Sequence, residues 1–247
     1  MRRKVIMISK SQRSPNRILD LNELESPSFK QRLDEFEEIL RRNPSLYLHP
    51  GKRWEYPWAL ERAGLEPDMK VLDVGCGMSV FPLYLHSIGC RVAALDWSFG
   101  KDMSQYIQRT LHYFRGDMGR LPFHKGSFDT VFCLSVIEHL SPSSIGRAMN
   151  ELNRVLRPEG RLLLTTDYYK DADEQLYYGG AGGPFPVDWY FFDESSFRRH
   201  ILGAEGWEIE GDLDLSVNWP DTAEKMKAYH GYPYTSVGIC LRKIPPG

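Results

Sequence analysis

Cysteine is scarce in this chain. Its four copies, Cys76, Cys90, Cys133 and Cys240, stand far apart. None forms the CxxC pair of a zinc or redox site, so the expectation is reduced thiols in a cytoplasmic protein. Long apolar runs are missing as well. The "VIMI" after the basic start is far shorter than a signal-peptide core, and no stretch approaches a transmembrane segment. Neither sign of charge is in excess: 31 Lys and Arg against 33 Asp and Glu leave a net charge of −2. That balance argues against nucleic acid as a partner. One local bias remains, since Arg2, Arg3, Lys4, Lys10, Arg13 and Arg17 all precede the first acid, Asp20. They read as a short solvated tail. No internal repeat or low-complexity tract is present, and 247 residues suffice for a sizeable core.

Residues 1–25 carry little pattern and are expected to be irregular. "SPSFKQRLDEFEEILRR" predicts a helix, with Ser26 as N-cap, Pro27 at its first position and Phe29, Leu33, Phe36 and Leu40 at helical spacing. "RWEYPWALERAG" predicts another, closed by Gly64, with Trp54, Tyr56 and Trp58 as an amphipathic face. From residue 70 strands and helices alternate. "KVLDVG", "RVAALD", "LHYFRGD", "FDTVFCLSV" and "RLLLTTD" are strands; "SVFPLYLHSIG", "DMSQYIQRT" and "SPSSIGRAMNELNRVLRPEG" are helices. This alternation implies a parallel sheet covered on both faces. A long Tyr-, Gly- and Pro-rich loop near 168–192 follows, of a length usually reserved for function. "DESSFRRHILG" then resumes as helix, and "WEIEGDLDL" and "TSVGICLRK" as the last strands.

The chemistry starts at "VLDVGCGMSV", residues 71–80. A dinucleotide fingerprint needs glycine at its first, third and sixth positions. Gly75 and Gly77 fit, but the sixth position is Val80. Asp73, at the strand's end, makes the turn inhospitable to pyrophosphate and welcoming to a cation. Asp96 ends the second strand about 20 residues on, where an acid can bind both hydroxyls of a ribose. Asp117 follows the third strand as an acceptor for an exocyclic amine, with Met118 as a flat apolar neighbour. The ligand so described has a ribose, a base and an ammonium group but no pyrophosphate. S-adenosyl-L-methionine meets that description.

Four stretches, "VLDVGCG", "ALD", "GDMGRLPFHKGSFDTVFCLSVIEHL" and "NELNRVLRPEGRLLL", together resemble the class I S-adenosylmethionine-dependent methyltransferases, in the ubiquinone-biosynthesis-like group. The resemblance covers the central half of the chain. It implies an α/β, Rossmann-like, doubly wound seven-stranded sheet whose last strand is antiparallel. A partly helical N-terminal extension over residues 1–53 would precede a methyltransferase domain over 54–247. It places Asp73, Gly75 and Gly77 around the methionine portion, Asp96 at the ribose, Asp117 and Met118 at the adenine, and Leu134 and Ser135 along the cofactor's border. Cys76 and Trp97 complete this set. The chain departs from the family at Ser79 and at Glu159 of Pro158-Glu159-Gly160, where glycine is usual; the second departure is expected to alter only a surface turn.

His139, in "IEHL" after the fourth strand, is the candidate base, because histidine titrates near neutrality. The same residue and Glu138 could instead shape the methionine pocket or begin a helix. A divalent-metal site is a third reading, without a further clear ligand set. Asp167 is a weaker candidate, as an orienting group for His139 or an acceptor contact. Tyr168, Tyr169, Tyr177, Tyr178, Trp189, Tyr190, Tyr232 and Tyr234 are candidates for an acceptor wall or lid, with Gly179, Gly180, Gly182 and Gly183 as hinges; Trp219 and His230 join Tyr232 and Tyr234 in an expected acceptor-binding loop between the last two strands, and Phe191 and Phe192 are expected in the core. The activity expected is methylation of a small-molecule acceptor, most readily at oxygen. A non-catalytic S-adenosylmethionine-binding or scaffold protein is the alternative, followed by a nicotinamide-dependent oxidoreductase, which Asp73 and Val80 oppose. The acceptor's identity and the oligomeric state are left open.

Overall fold

The first strand lies where the sequence predicts irregular chain. In the computed structural model, which describes residues 14–99, 111–170 and 189–245, Asn16–Ile18 form β1 and Leu21–Glu25 a 3-10 turn. A three-residue strand is too short to show a period, so only its pairing partners reveal it. Arg17 is correspondingly not part of a solvated tail. It is 7% exposed and its Nη2 donates to Glu23 at 2.6 Å. The other basic residues named above, the helix expected over "DMSQYIQRT", and Tyr177, Tyr178 and their neighbouring glycines lie outside the described residues.

Helix α1, Pro27–Arg42, starts as its sequence dictates: Ser26 Oγ accepts the Phe29 N–H at 3.4 Å, and Phe29, Leu33 and Phe36 are buried. Helix α2, Lys52–Ala63, closes on Gly64 in the left-handed region. It is not amphipathic as expected. Trp54, Glu55, Tyr56, Pro57, Trp58 and Ala59 are all buried, because α2 is wedged between α1 and the sheet. The division expected between residues 53 and 54 falls inside this helix.

The remaining elements are β2 Lys70–Val74, α3 Phe81–Ser87, β3 Arg91–Asp96, β4 His112–Arg115, β5 Phe128–Leu134, α4 Pro142–Val155, β6 Leu156–Tyr168, α5 Glu194–Phe197, β7 Trp207–Ile209, β8 Leu213–Asp214, α6 Trp219–His230 and β9 Thr235–Lys243. A π-helical turn, Arg198–Leu202, extends α5. The sheet runs β4-β3-β2-β5-β6-β9-β1-β8, with β7 also on β9. Pairings from β4 through β6 are parallel, and β9 is antiparallel to β6. All seven expected strands are present. The sheet gains β1, and "WEIEGDLDL" divides around Gly211 into β7 and β8, making nine strands among the described residues.

Alternation along the central strands sorts residues to two faces. Leu72, Val131, Cys133, Leu162 and Leu164 pack with Ile145, Ala148, Met149 and Leu152 of α4. Val71, Phe132, Leu134 and Leu163 pack with α1, α2 and α3. Both layers are apolar, and Asp73 and Asp167 project on the second face by the same alternation, at the carboxyl ends of β2 and β6. Helix α4 stops earlier than its sequence suggests, at Val155, and Pro158-Glu159-Gly160 belong to β6 rather than to a surface turn. Glu159 holds φ +61, a conformation that glycine adopts without cost, and Arg242 Nη1 grips its carboxylate at 2.6 Å.

Candidate functional site

The carboxyl ends of β2, β3, β5 and β6 open onto a cavity of about 890 Å³. That is near the upper end of the ~300–1,000 Å³ usual for small-molecule sites. All ten residues expected to bind the cofactor line it, from Asp73, Gly75, Cys76 and Gly77 through Asp96, Trp97, Asp117 and Met118 to Leu134 and Ser135. His139 and Asp167 line it too.

Local geometry explains the glycine turn. Gly75 has φ +71, and its N–H donates to the Leu95 carbonyl at 2.7 Å. A Cβ at this position would overlap both γ-carbons of Val136. Gly75→Ala combines left-handed strain with overpacking and is expected to cost about 2–3 kcal/mol, read as a lower urea midpoint at unchanged m-value. A loss under about 0.5 kcal/mol contradicts this account of the turn.

Asp96 is held in place from two sides. Its Oδ2 accepts the Gly77 N–H at 2.9 Å, while Oδ1 accepts the Ser98 N–H at 2.8 Å and the Ser98 hydroxyl at 2.6 Å. Lone pairs remain for further donors. Trp97, the next residue, is 61% exposed, an open aromatic face at the mouth. Asp117 is exposed, its Oδ1 accepting the Gly119 N–H at 2.8 Å, and Met118 is buried. Asp73 is 4% exposed; burial, with the Asp96 charge adding and Lys52 opposing, pushes its carboxyl up to about 8. A carboxyl so displaced favours a cationic ligand, which would restore its ionisation. Fixed acceptors, a bend that tolerates no side chain and a charge-hungry acid fit a positively charged nucleoside.

Residues 72–164 match the family described as "Methyltransferase domain". Those residues form a methyltransferase domain. The chain is 33% identical to a demethylmenaquinone methyltransferase of Beutenbergia cavernae over 134 residues, which are 52% of this chain and 55% of that protein. It is 35% identical to a malonyl-[acyl-carrier protein] O-methyltransferase of Enterobacter lignolyticus over 171 residues, 66% of this chain and 63% of that protein. The chain spans about half the length of the curated relatives it matches first. In fold it resembles the Burkholderia thailandensis 1,6-didemethyltoxoflavin-N1-methyltransferase, at TM-score 0.58 and 14% identity, covering 92% of each chain. That protein was crystallised with 1,6-didemethyltoxoflavin and S-adenosylhomocysteine.

Beyond the three strand-end acids, the cavity extends into a second compartment whose wall from residues 47–55 sequence reasoning missed. The segment expected as an extension contributes Tyr47, His49, Gly51 and Lys52 to its lining. Tyr47 is fastened to the glycine turn, donating its N–H to Met78 O at 3.1 Å and accepting from the Val80 N–H at 3.3 Å. Glu55 is 2% exposed and gathers Lys52 Nζ at 2.8 Å, Ser135 Oγ at 2.8 Å and Thr165 Oγ1 at 2.6 Å. Burial pushes this carboxyl up, but Lys52, Thr165 and Ser135 outweigh it and hold Glu55 below its ordinary range. Lys52 also donates to the Leu134 carbonyl at 2.5 Å, tying α2 to the end of β5. Lys52 and Glu55 stand one helical turn apart in an aromatic stretch, where a charged pair signals burial; that was the available clue.

The acceptor candidates divide. Trp189 and Tyr234 line the cavity, their rings 5.4 Å apart, and Trp189 Nε1 donates to Asp167 Oδ2 at 2.8 Å. Tyr168 and Tyr190 do not line it: they are 2% and 4% exposed and pack on the opposite face with Phe192. Strand alternation puts Tyr168 behind the sheet when Asp167 faces the cavity. Tyr169 sits edge-on to Trp219 at 4.9 Å, and Tyr232 is an exposed neighbour stacked on Tyr234; neither lines the cavity. Trp219–His230 is helical rather than a loop, and it delivers His230 to the lining, 4.7 Å from Tyr234. Of the aromatic trio in α2, Trp54 and Trp58 are core and Tyr56 alone reaches the cavity. Among the described residues, no group of three His, Cys, Asp or Glu side chains is arranged to hold a metal ion, and no helix is long and apolar enough to cross a membrane.

Proposed function

We propose that this protein methylates a small-molecule acceptor, at oxygen, using S-adenosylmethionine. The observation that carries this reading is the continuity of the cavity: the strand-end acids and the compartment of His139, Asp167, Trp189, His230 and Tyr234 share one enclosure. Asp96 would hold the ribose hydroxyls, Asp117 and Met118 the adenine, and Asp73 the cationic amino-acid end. Bound there, the cofactor supplies a methyl group already activated for in-line displacement.

The chain's own contribution is alignment, exclusion of water and removal of the acceptor proton. Alignment of this kind is worth up to ~7–11 kcal/mol in intramolecular systems. His139, exposed at the mouth with its ring 6.1 Å from Trp189, is the base in this reading. Asp167 is a poor one, since burial and the charges of Glu138 and Glu55 raise its carboxyl well above the usual range. The oxygen-methylating relative named above supports the choice of atom.

Transfer of a tritiated methyl group to hydroxyl-bearing metabolites tests the activity; cofactor binding without any labelled product would favour a scaffold role. His139→Ala is expected to lower turnover about 10²-fold. S-adenosylhomocysteine affinity should stay within about twofold of wild type, because the base touches the acceptor and not the nucleoside. Wild-type turnover in that variant removes His139 as the base.

A further inference from the structure

The compartment beyond the nucleoside acids holds more carboxyl groups than the chain itself pairs with cations. Glu55, Glu138 and Asp167 all line it, and Lys52 is the one Lys or Arg among the described lining residues. Lys52 is already engaged by Glu55 and the Leu134 carbonyl. Glu138 is fully buried; Thr166 Oγ1 donates to its Oε2 at 3.2 Å, and its Oε1 has no hydrogen-bond partner. A buried carboxylate oxygen left unpaired is costly unless a ligand supplies the donor. Trp189 Nε1 occupies one oxygen of Asp167 and leaves acceptor capacity on that group as well. The rings of Trp189 and Tyr234 stand beside these acids, and aromatic faces stabilise a desolvated cation.

We propose that this end of the cavity is a subsite for the protonated amino group of an amine-bearing acceptor, with Glu138 and Asp167 as its carboxylate partners and Trp189 and Tyr234 as its aromatic walls. The proposal rests on the methyl-transfer reading and narrows it: the amino group anchors the molecule while a hydroxyl of the same molecule is presented to His139. Burial pushes Glu138 up to about 8, with Lys52 opposing and Glu55 adding, so a bound cation would draw it back toward ionisation. A carboxylate acceptor would face these acids unfavourably, and a neutral polyol would supply no cation to restore their ionisation.

The test uses two matched pairs of probes, tyramine with 4-ethylphenol and glucosamine with glucose. Each is titrated by calorimetry into the full-length protein loaded with S-adenosylhomocysteine, then assayed for methyl transfer from the tritiated cofactor. At least one amine is expected to bind about tenfold more tightly than its neutral partner, as a charge-assisted contact requires. Glu138→Gln, and separately Asp167→Asn, should erase that preference while leaving S-adenosylhomocysteine affinity and the melting temperature near wild type. Equal binding within both pairs, binding by neither amine, or a preference that survives both substitutions overturns the subsite. Amine binding that obeys these rules but yields no labelled product in any pair overturns the methyl-transfer reading and leaves the subsite standing. Label on the amine nitrogen overturns its role as an anchor.

Discussion

Replacing Asp96 with alanine will weaken S-adenosylhomocysteine binding by about 10³-fold, since two hydrogen bonds from ribose hydroxyls to a carboxylate are each worth ~1.5–3 kcal/mol. The carboxylate is prepared for this task before any ligand arrives. Gly77 and Ser98 already orient both of its oxygens, so little rotamer entropy is lost on binding. Isothermal titration of the variant measures the change directly. Asp96→Asn should fall between the two, because it keeps an acceptor oxygen and loses the charge. An Asp96→Ala affinity within about threefold of wild type would falsify the ribose assignment.

Lys52→Met carries the second large effect, on stability. Removing the cation leaves Glu55 buried with hydroxyl donors but no opposite charge, a situation that costs ~3–5 kcal/mol in comparable ion pairs. The pH dependence should reverse with it. In the wild type Glu55 is held below its ordinary range, so the folded state binds fewer protons than the unfolded one. Its contribution is complete above the unfolded carboxylate pKa and is lost as pH falls through the folded value. In the variant burial is no longer outweighed and the carboxyl rises. The folded state then binds more protons than the unfolded one, so the deficit should be greatest near neutrality and shrink toward about pH 4. Urea unfolding at pH 4.5, 6 and 7.5 checks both size and slope. The double variant with Glu55→Gln should recover much of the loss. A pH-independent deficit below about 1 kcal/mol means the pair is not what holds α2 to the sheet.

Where local chemistry and tertiary structure agree, the agreement has an identifiable cause. Ser26 and Pro27 start α1 because capping is decided within one turn, and Gly64 ends α2 because left-handed backbone suits glycine. The cofactor acids were legible because a parallel sheet places every strand end on one edge. Asp73 and Asp96 therefore needed only their position at the end of a strand, and Asp117 its place just after one, to be brought together. The acceptor wall was not legible in that way. Tyr168 and Asp167 are adjacent in sequence, yet alternation sends one to the core and the other to the cavity.

By itself, then, the sequence determined the α/β alternation, the helix boundaries set by caps and the nucleoside end of the cavity, all products of short-range pattern. Tertiary structure alone decided that β1 adds to the sheet, that α2 is buried continuously from Trp54 to Ala59, and that Lys52 and Glu55 share an enclosure with His139. Those residues come from segments far apart in the chain, and no local periodicity records a distance between them. Carboxyl groups left without a cation in that enclosure are a property of the assembled neighbourhood, created only when burial removes the water that would otherwise have solvated them.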